Sequence, residues 1–381
     1  MSKKKHSSLD WLVAARGYAM FGVFAGHVIM SFSYEHGYHQ LNAIGQYFDP
    51  TVIPFFVFLT GAFYSRSGNG FADYARLKFG QRILPVYFYL LLVIPFYFLL
   101  PLPEKTAWDS LRFAPMYLLG IPWLSWPSWF LVALFSAELL YYFIQPHASS
   151  RWRALLFALV CYTLGWLYNH YKFDSPAVFM LGMIWMIHAC MPFCALFLLG
   201  QIARPYLLRM GRWPAHQVLL TGILAAVVCW LGVENNSFRS LPENSALSRF
   251  IPDDMISNFS GQYGHYLWFV FSSLGGVVAL TCLCRLIPVN RFMRACGDHS
   301  LVLLGLNGIF QNVLNYRITG LLASLHDSVS WLLLSSVLLA AVSMALCLPV
   351  AIVLEKYLPQ LTGRPMLKGP LLPALYHKRS R

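Results

Sequence analysis

Charge is what this 381-residue chain has least of: charged residues make up 11 % of it. A soluble globular domain carries about a quarter, so an ordinary water-exposed fold is excluded. Acidic residues are scarcer still, with 15 Asp and Glu against 28 Lys and Arg. No internal repeat and no low-complexity tract stands out, and no soluble domain is expected at either end. Nor is there a Gly-rich phosphate loop, so any phosphate must be held by point charges and Arg contacts. The eight cysteines lie in or beside apolar segments and none pairs in a long polar loop. Free, buried thiols are therefore expected, without a disulfide framework.

What is present is apolar. Hydrophobic residues reach 58 % and aromatics 16 %, arranged in blocks long enough to cross a bilayer as helices. Ten spans fit, with cores at 11–34, 51–65, 83–101, 125–145, 154–170, 175–201, 216–233, 263–286, 300–317 and 329–354. The expected fold is all-α: a polytopic membrane protein of about ten helices with both termini cytoplasmic. Residues 1–10 form a cytoplasmic start, 11–354 the membrane domain and 355–381 a basic cytoplasmic tail. The start, MSKKKHSSLDW, imitates a secretory signal, but the run after it is long, contains Arg16 and lacks an A-x-A-like site. It reads as a retained first span anchored by Lys3, Lys4 and Lys5.

The net charge of +13 has a topological explanation and calls for no nucleic acid. With the N-terminus inside, 21 Lys and Arg fall on the cytoplasmic side and 6 outside, with Arg16 in the membrane. The outer loops 35–50 and 234–262 are polar and flanked by aromatics. His36 and His39 have no third ligand nearby, so no metal site is expected.

An ionisable group inside a span is a functional candidate, which selects Arg16, His27, Glu138, His188 and His265. Arg16 and His27 stand at the ends of RGYAMFGVFAGH, eleven residues apart. That is close to three helical turns, so both project from one face, roughly 16 Å apart along the axis. They can line one cavity at two depths. Alternatively Arg16 snorkels to the interface and His27 bonds a neighbouring helix. Glu138 needs a cationic partner, with Arg16 or Arg82 the natural choice. His188 reads as a satisfied packing residue.

The neighbouring segments carry a resemblance. The second span reads IPFFVFLTGAFYSRS, and FADYARLKFGQRILPVYFYLL follows. The fourth begins PSWFLVALFSAELLYYF, the sixth ends PFCALFLLGQIA and the ninth opens CGDHSLVLLGLNGIF. This series resembles the integral-membrane acyltransferase family 3, the ten-span O-acyltransferases of bacterial surface polysaccharides. Arg16 and His27 match that family's basic residue, ten intervening residues and histidine. Residues 55–61 match the aromatic run with a small-residue turn. Lys78, Arg82, Pro85 and Tyr87 match the third span, and Trp129, Phe130 and Leu131 the fourth. The likeness is closest to sugar O-acetylases and glucan-modifying members. Three departures are visible: Phe79 where many members carry Arg, Asn307 where the ninth motif often ends in His, and Asp10 six rather than three residues before Arg16.

The resemblance implies acyl-CoA as co-substrate, with no permanently bound cofactor, and an acyl group that is commonly acetyl and alternatively succinyl. It implies an envelope polysaccharide or lipid-linked sugar as acceptor, and the bacterial inner membrane as location. His27 would be the catalytic base or an acyl carrier, and Arg16 would assist it or guide the donor. Arg82, Lys78 and Arg76 would meet CoA, with Trp129 and Glu138 on the acceptor side. Two other functions remain open: a transporter or flippase for a lipid-linked glycan, and a non-catalytic scaffold in polysaccharide assembly. Repeated halves and broken helices, which would favour transport, are not evident in the sequence. Oligomeric state is not encoded legibly.

Overall fold

A backbone inside lipid must satisfy its own polar groups, which leaves helices as the economical solution for this composition. The computed structural model describes residues 10–64, 70–100, 106–238 and 255–376. Among them every extended element is helical, and the only β pairing is an isolated bridge between Ser257 and Gln262. The lysine anchor Lys3–Lys5, Arg66, Lys105, Arg239, Arg249, Lys378, Arg379 and Arg381 lie outside the described residues. All eight cysteines are free, and all but Cys190 are buried.

The long helices are α1 (Asp10–Glu35), α2 (Asp49–Ala62), α3 (Phe71–Leu99), α4 (Trp126–Ile144), α5 (Arg151–Tyr171) and α6 (Pro176–Met210). They continue as α7 (Ala215–Glu234), α8 (Tyr266–Leu286), the short α9 (Arg291–Asp298), α10 (residues 300–325) and α11 (Val329–Tyr357). Seven are long and apolar enough to cross a membrane: α1, α3, α4, α6, α7, α8 and α11. The other three expected spans are helical but fall short of that measure. The α2 helix has 14 residues. The α5 helix is diluted by Arg151, Arg153, Asn169 and His170. Asn307, Gln311, Asn312, Asn315 and Arg317 do the same to α10.

The outer surface fits lipid. On α7, Leu219, Leu220, Ile223, Leu224, Val227, Val228, Trp230 and Leu231 are exposed, on a face that none of the other described residues covers. An apolar surface of that extent is untenable in water. The chain is a multi-pass membrane protein.

Inside, helices approach through small residues, as lipid-embedded bundles do. A Cβ on Gly17 of α1 would collide with the Met293 carbonyl of α9, and one on Gly297 with the Val13 carbonyl. Asp10 and Arg294 close the same crossing with a 3.0 Å ion pair. The α2–α6 pair is as tight: Gly61 faces the Phe197 carbonyl and Gly200 the Phe58 carbonyl.

Several helices are locally widened or broken. One-turn π segments sit at Phe79–Ile83 in α3, at Phe310–Leu314 in α10 and at Ser31–Glu35 ending α1. Such bulges re-aim side chains and gather at functional sites. The α6 helix is interrupted at Trp185 and Met186, where φ is 51° and 52°, a strained region for large side chains. Ser136 of α4 donates a 2.6 Å hydrogen bond to the Trp185 carbonyl and steadies the break. The sequence, read for breakers, had suggested no such interruption.

Candidate functional site

Helical spacing places Arg16, Met20, Val23 and His27 along one stripe of α1. The first three line a cavity of about 340 Å³ enclosed by α1, α2, the π turn of α3, α4, the start of α10 and the end of α11. One end is polar, with Arg16, Asp298, Glu355 and Arg364. The other is apolar, closed by Val23, Ile53, Phe56, Phe130, Leu131 and Leu304. His27 does not line it. It sits one turn beyond Val23, as Asn307 sits one turn beyond Leu304.

His27 and Asn307 face each other, with the Asn307 amide Nδ2 at 2.6 Å from His27 Nδ1. Asn307 is almost fully buried, whereas His27 is half-buried. Drawn with Nδ2 donating, the contact fixes the imidazole proton on Nε2. The Asn307 oxygen makes no other hydrogen bond among the described residues. A half-turn of the amide therefore lets Oδ1 accept from Nδ1–H and leaves a lone pair on Nε2.

Arg16 has neither hydrogen bond nor ion pair within the described residues and opens onto the cavity. The other cations that line it are engaged. Arg82 clasps Glu138 with Nε to Oε2 at 3.0 Å and Nη2 to Oε1 at 3.1 Å. Lys78 adds a 2.7 Å bond to Oε1 of the same carboxylate. The carboxylate is fully buried and its charge is balanced within the bundle. Tyr74 donates to the Glu138 backbone carbonyl at 3.0 Å, and the Lys78 ammonium lies 5.2 Å from the Tyr64 ring centroid. The π turn brings Arg82 to the cavity while Lys78 stays behind it.

The third wall comes from the end of the described chain. Thr362, Gly363 and Arg364 fold back to line the polar end. Arg364 Nη2 lies 2.7 Å from Glu355 Oε2, and His299 Nδ1 lies 3.1 Å from the same oxygen. Part of the segment read from the sequence as a basic tail thus packs against the cavity.

The sequence candidates thus separate. Arg16 and Arg82 reach the cavity; His27 lies just past its inner end; Lys78 and Glu138 form a buried network beside it. Glu138 pairs with Arg82 and Lys78, not with Arg16. Arg76 is exposed and does not line the cavity. Trp129, expected on the acceptor side, is buried and lines no part of this cavity. Its ring is buried against Phe130, Phe193 and Phe259 at centroid distances of 6.3, 6.1 and 5.7 Å. The reason is the loop before α8, whose Phe259 caps the end of α4. His188 is buried between the Gly182 and Phe259 carbonyls at 2.8 and 2.7 Å. Arg364 is the residue the sequence reading passed over, and Asn307 entered it only as a departure from the ninth-span motif. The signal for Asn307 was its place in the ninth-span motif, where many members carry His.

A family model described as an acyltransferase domain matches residues 9–356. The chain belongs to acyltransferase family 3. No curated protein and no solved structure is matched by the chain. The match runs from the start of α1 to the last turn of α11, so every helix that builds the cavity falls within the family's domain. The segment carrying Thr362, Gly363 and Arg364 follows it. Family membership makes this a membrane acyltransferase.

Proposed function

We propose that the protein transfers an acyl group, acetyl in the first instance, from cytoplasmic acyl-CoA to a hydroxyl of an envelope polysaccharide or lipid-linked sugar in a bacterial inner membrane. The observation that carries this reading is the cavity that begins at the unpaired Arg16 and stops one turn below His27 and Asn307. In a ten-span topology with both termini cytoplasmic, its polar end faces the cytoplasm. Arg16 and Arg364 there suit the anionic part of CoA, and the apolar depth suits a pantetheine chain carrying the acyl thioester inward. Arg82 lines the path, held in place by Glu138 and Lys78.

The chemistry needs a base at the inner end. With Asn307 accepting from Nδ1–H, His27 Nε2 takes the proton of the acceptor hydroxyl. The oxygen attacks the thioester carbonyl, the carbon–sulfur bond breaks, and the CoA thiolate recovers the proton from the imidazolium. The new oxygen–acyl ester leaves towards the outer side. Asn307 stabilises the imidazolium's orientation throughout.

The test is membrane vesicles holding the protein, supplied with radiolabelled acetyl-CoA and followed by recovery of the envelope glycan. Label in the glycan with wild type, and none with a folded His27→Ala variant, is expected. Normal transfer by that variant overturns the assignment of His27. Mass spectrometry of the surface polysaccharide with and without the protein reads the added group and its position.

A further inference from the structure

Past α11 the chain folds back on itself without forming a helix. Gln360 is fully buried, and its amide donates to the carbonyls of Leu367 and Leu372 at 2.9 and 2.6 Å. The Pro365 carbonyl accepts from the backbone of Leu375 and Tyr376 at 2.8 and 3.2 Å. Gly369 lies against the last turn of α11, where a Cβ would stand 2.6 Å from Pro359 and 2.8 Å from the Tyr357 carbonyl. Pro365 and Tyr376 press on Gly80 of α3, where a Cβ would meet the Tyr376 ring at 2.8 Å. Residues 358–376 are thus held against two spans, where the apolar run of α3 begins and where α11 ends.

What this scaffold presents outward is apolar. Met366, Leu367, Leu371 and Leu375 are exposed, Leu371 at 65 %. The bonds above fix the backbone that carries them, so these side chains are held outward. Such a cluster is unfavourable against water. It follows an exposed row on α11, Leu346, Val350, Val353 and Tyr357, which stand at helical spacing on one face of a span and so meet lipid. Gly369, between Lys368 and Pro370, touches the turn where that row ends. Charge then points to the kind of lipid. Residues 356–381 hold Lys356, Arg364, Lys368, Lys378, Arg379 and Arg381, and no Asp or Glu. Lys356 and Lys368 are exposed. Membrane topology accounts for basic residues here but not for the leucines between them. Apolar and basic side chains together are what a surface-lying anchor combines.

We infer that residues 365–376 form an interfacial anchor, seated in the headgroup layer of the bilayer and held there by anionic phospholipid. An acidic soluble protein would also answer the lysines, but the segment stands at the ends of two spans, where the headgroups already are. Arg364, the residue before Pro365, lines the donor cavity. Seating of the anchor therefore sets the position of that wall. This coupling to the donor rests on the proposed transferase reading; the anchor itself does not.

The test uses the full-length protein in nanodiscs of phosphatidylcholine, with and without phosphatidylglycerol, and no acyl-CoA. A spin label is attached at Leu371→Cys, in a chain whose Cys190, the one cysteine that is not buried, is changed by Cys190→Ser. Leu375→Cys serves if the first variant does not fold. Collisions with dissolved oxygen, which concentrates in lipid, and with an aqueous nickel chelate place the label. In the anionic discs it should meet oxygen and be shielded from the chelate, as a label at Val350→Cys is. Lys356→Gln with Lys368→Gln should move the label towards water, by about fivefold in the seated-to-free ratio for each charge removed. A label as open to the chelate as a free chain end overturns the inference. So does one shielded from both reagents, since protein then covers the face, a second copy of the chain included. Seating indifferent to headgroup charge and to both lysines overturns it as well. Where transfer is measurable, Leu371→Asp should raise KM for acetyl-CoA as Arg364→Ala does; an unchanged KM overturns the coupling. Seating without any acyl transfer fails the transferase reading alone, and transfer from a protein whose label lies in water fails the anchor alone.

Discussion

Asn307 holds His27 through a 2.6 Å contact between its amide and Nδ1, across the boundary of α10 and α1. A neutral imidazole has one donor and one acceptor nitrogen, so whatever Asn307 presents to Nδ1 sets the chemistry of Nε2. An amide can present either. His27→Ala should lower kcat by about 10²–10⁴-fold, the range of general base catalysis, with the thermal unfolding midpoint kept. Asn307→Leu should lower kcat by about tenfold or more with little change in KM. Asn307→Asp, which can only accept when ionised, should restore part of the activity and shift the pH–rate profile. Equal kcat in all three variants would dissolve the link between the pair and catalysis.

Glu138 pairs with two cations at once. Removing it by Glu138→Leu leaves Lys78 and Arg82 buried and unpaired, which should cost about 3–5 kcal/mol. Lys78→Met should be much milder, because Arg82 keeps its two-point clasp on the carboxylate. Thermal unfolding in detergent distinguishes the two, and similar losses from both would contradict the network as described.

Arg16 makes no hydrogen bond or ion pair among the described residues at the polar end of the cavity, where Asp298 is the acidic group acting on it. Arg16→Ala should raise KM for acyl-CoA by about tenfold, the loss of a charge-assisted contact, and leave kcat nearly intact. Arg364→Ala should raise KM as well, although it lies in the chain's last segment. Steady-state kinetics with varied acyl-CoA checks both. Arg76→Ala, on a side chain outside the cavity, should leave KM unchanged.

Gly17 marks where α1 meets α9 without room for a side chain. Gly17→Val would force the Met293 carbonyl away and separate the helices. Overpacking commonly costs about 1–3 kcal/mol, and a backbone collision belongs at the upper end. The melting temperature should fall, and acyl transfer should fall with it because Arg16 is the next residue. Unchanged stability would show that the crossing relaxes freely.

Much of this site was legible in the chain. The eleven-residue interval between Arg16 and His27 matches the helical repeat, so their common face follows from geometry alone. The need of Glu138 for a cation follows equally from its place in an apolar run. The partner followed in part: Arg82 was one of the two cations expected, and Lys78 was not. Lys78, Arg82 and Glu138 stand 56 to 60 residues apart, and a π turn that no local signal announces decides which way Arg82 points. The surroundings of Trp129 were hidden for a similar reason: the ring packs against Phe259, 130 positions downstream.

The sequence by itself determined that the chain is helical, lies in a membrane and carries a basic residue and a histidine on one face of its first helix. Those follow from composition, block length and a fixed 3.6-residue repeat, which act locally along the chain. Only the tertiary structure decided that His27 meets Asn307, that Arg82 rather than Arg16 clasps Glu138, and that residues 362–364 form a wall of the cavity. These are contacts between distant segments, set by how closely the helices can pack, and helix–helix distance is written in no single stretch of residues.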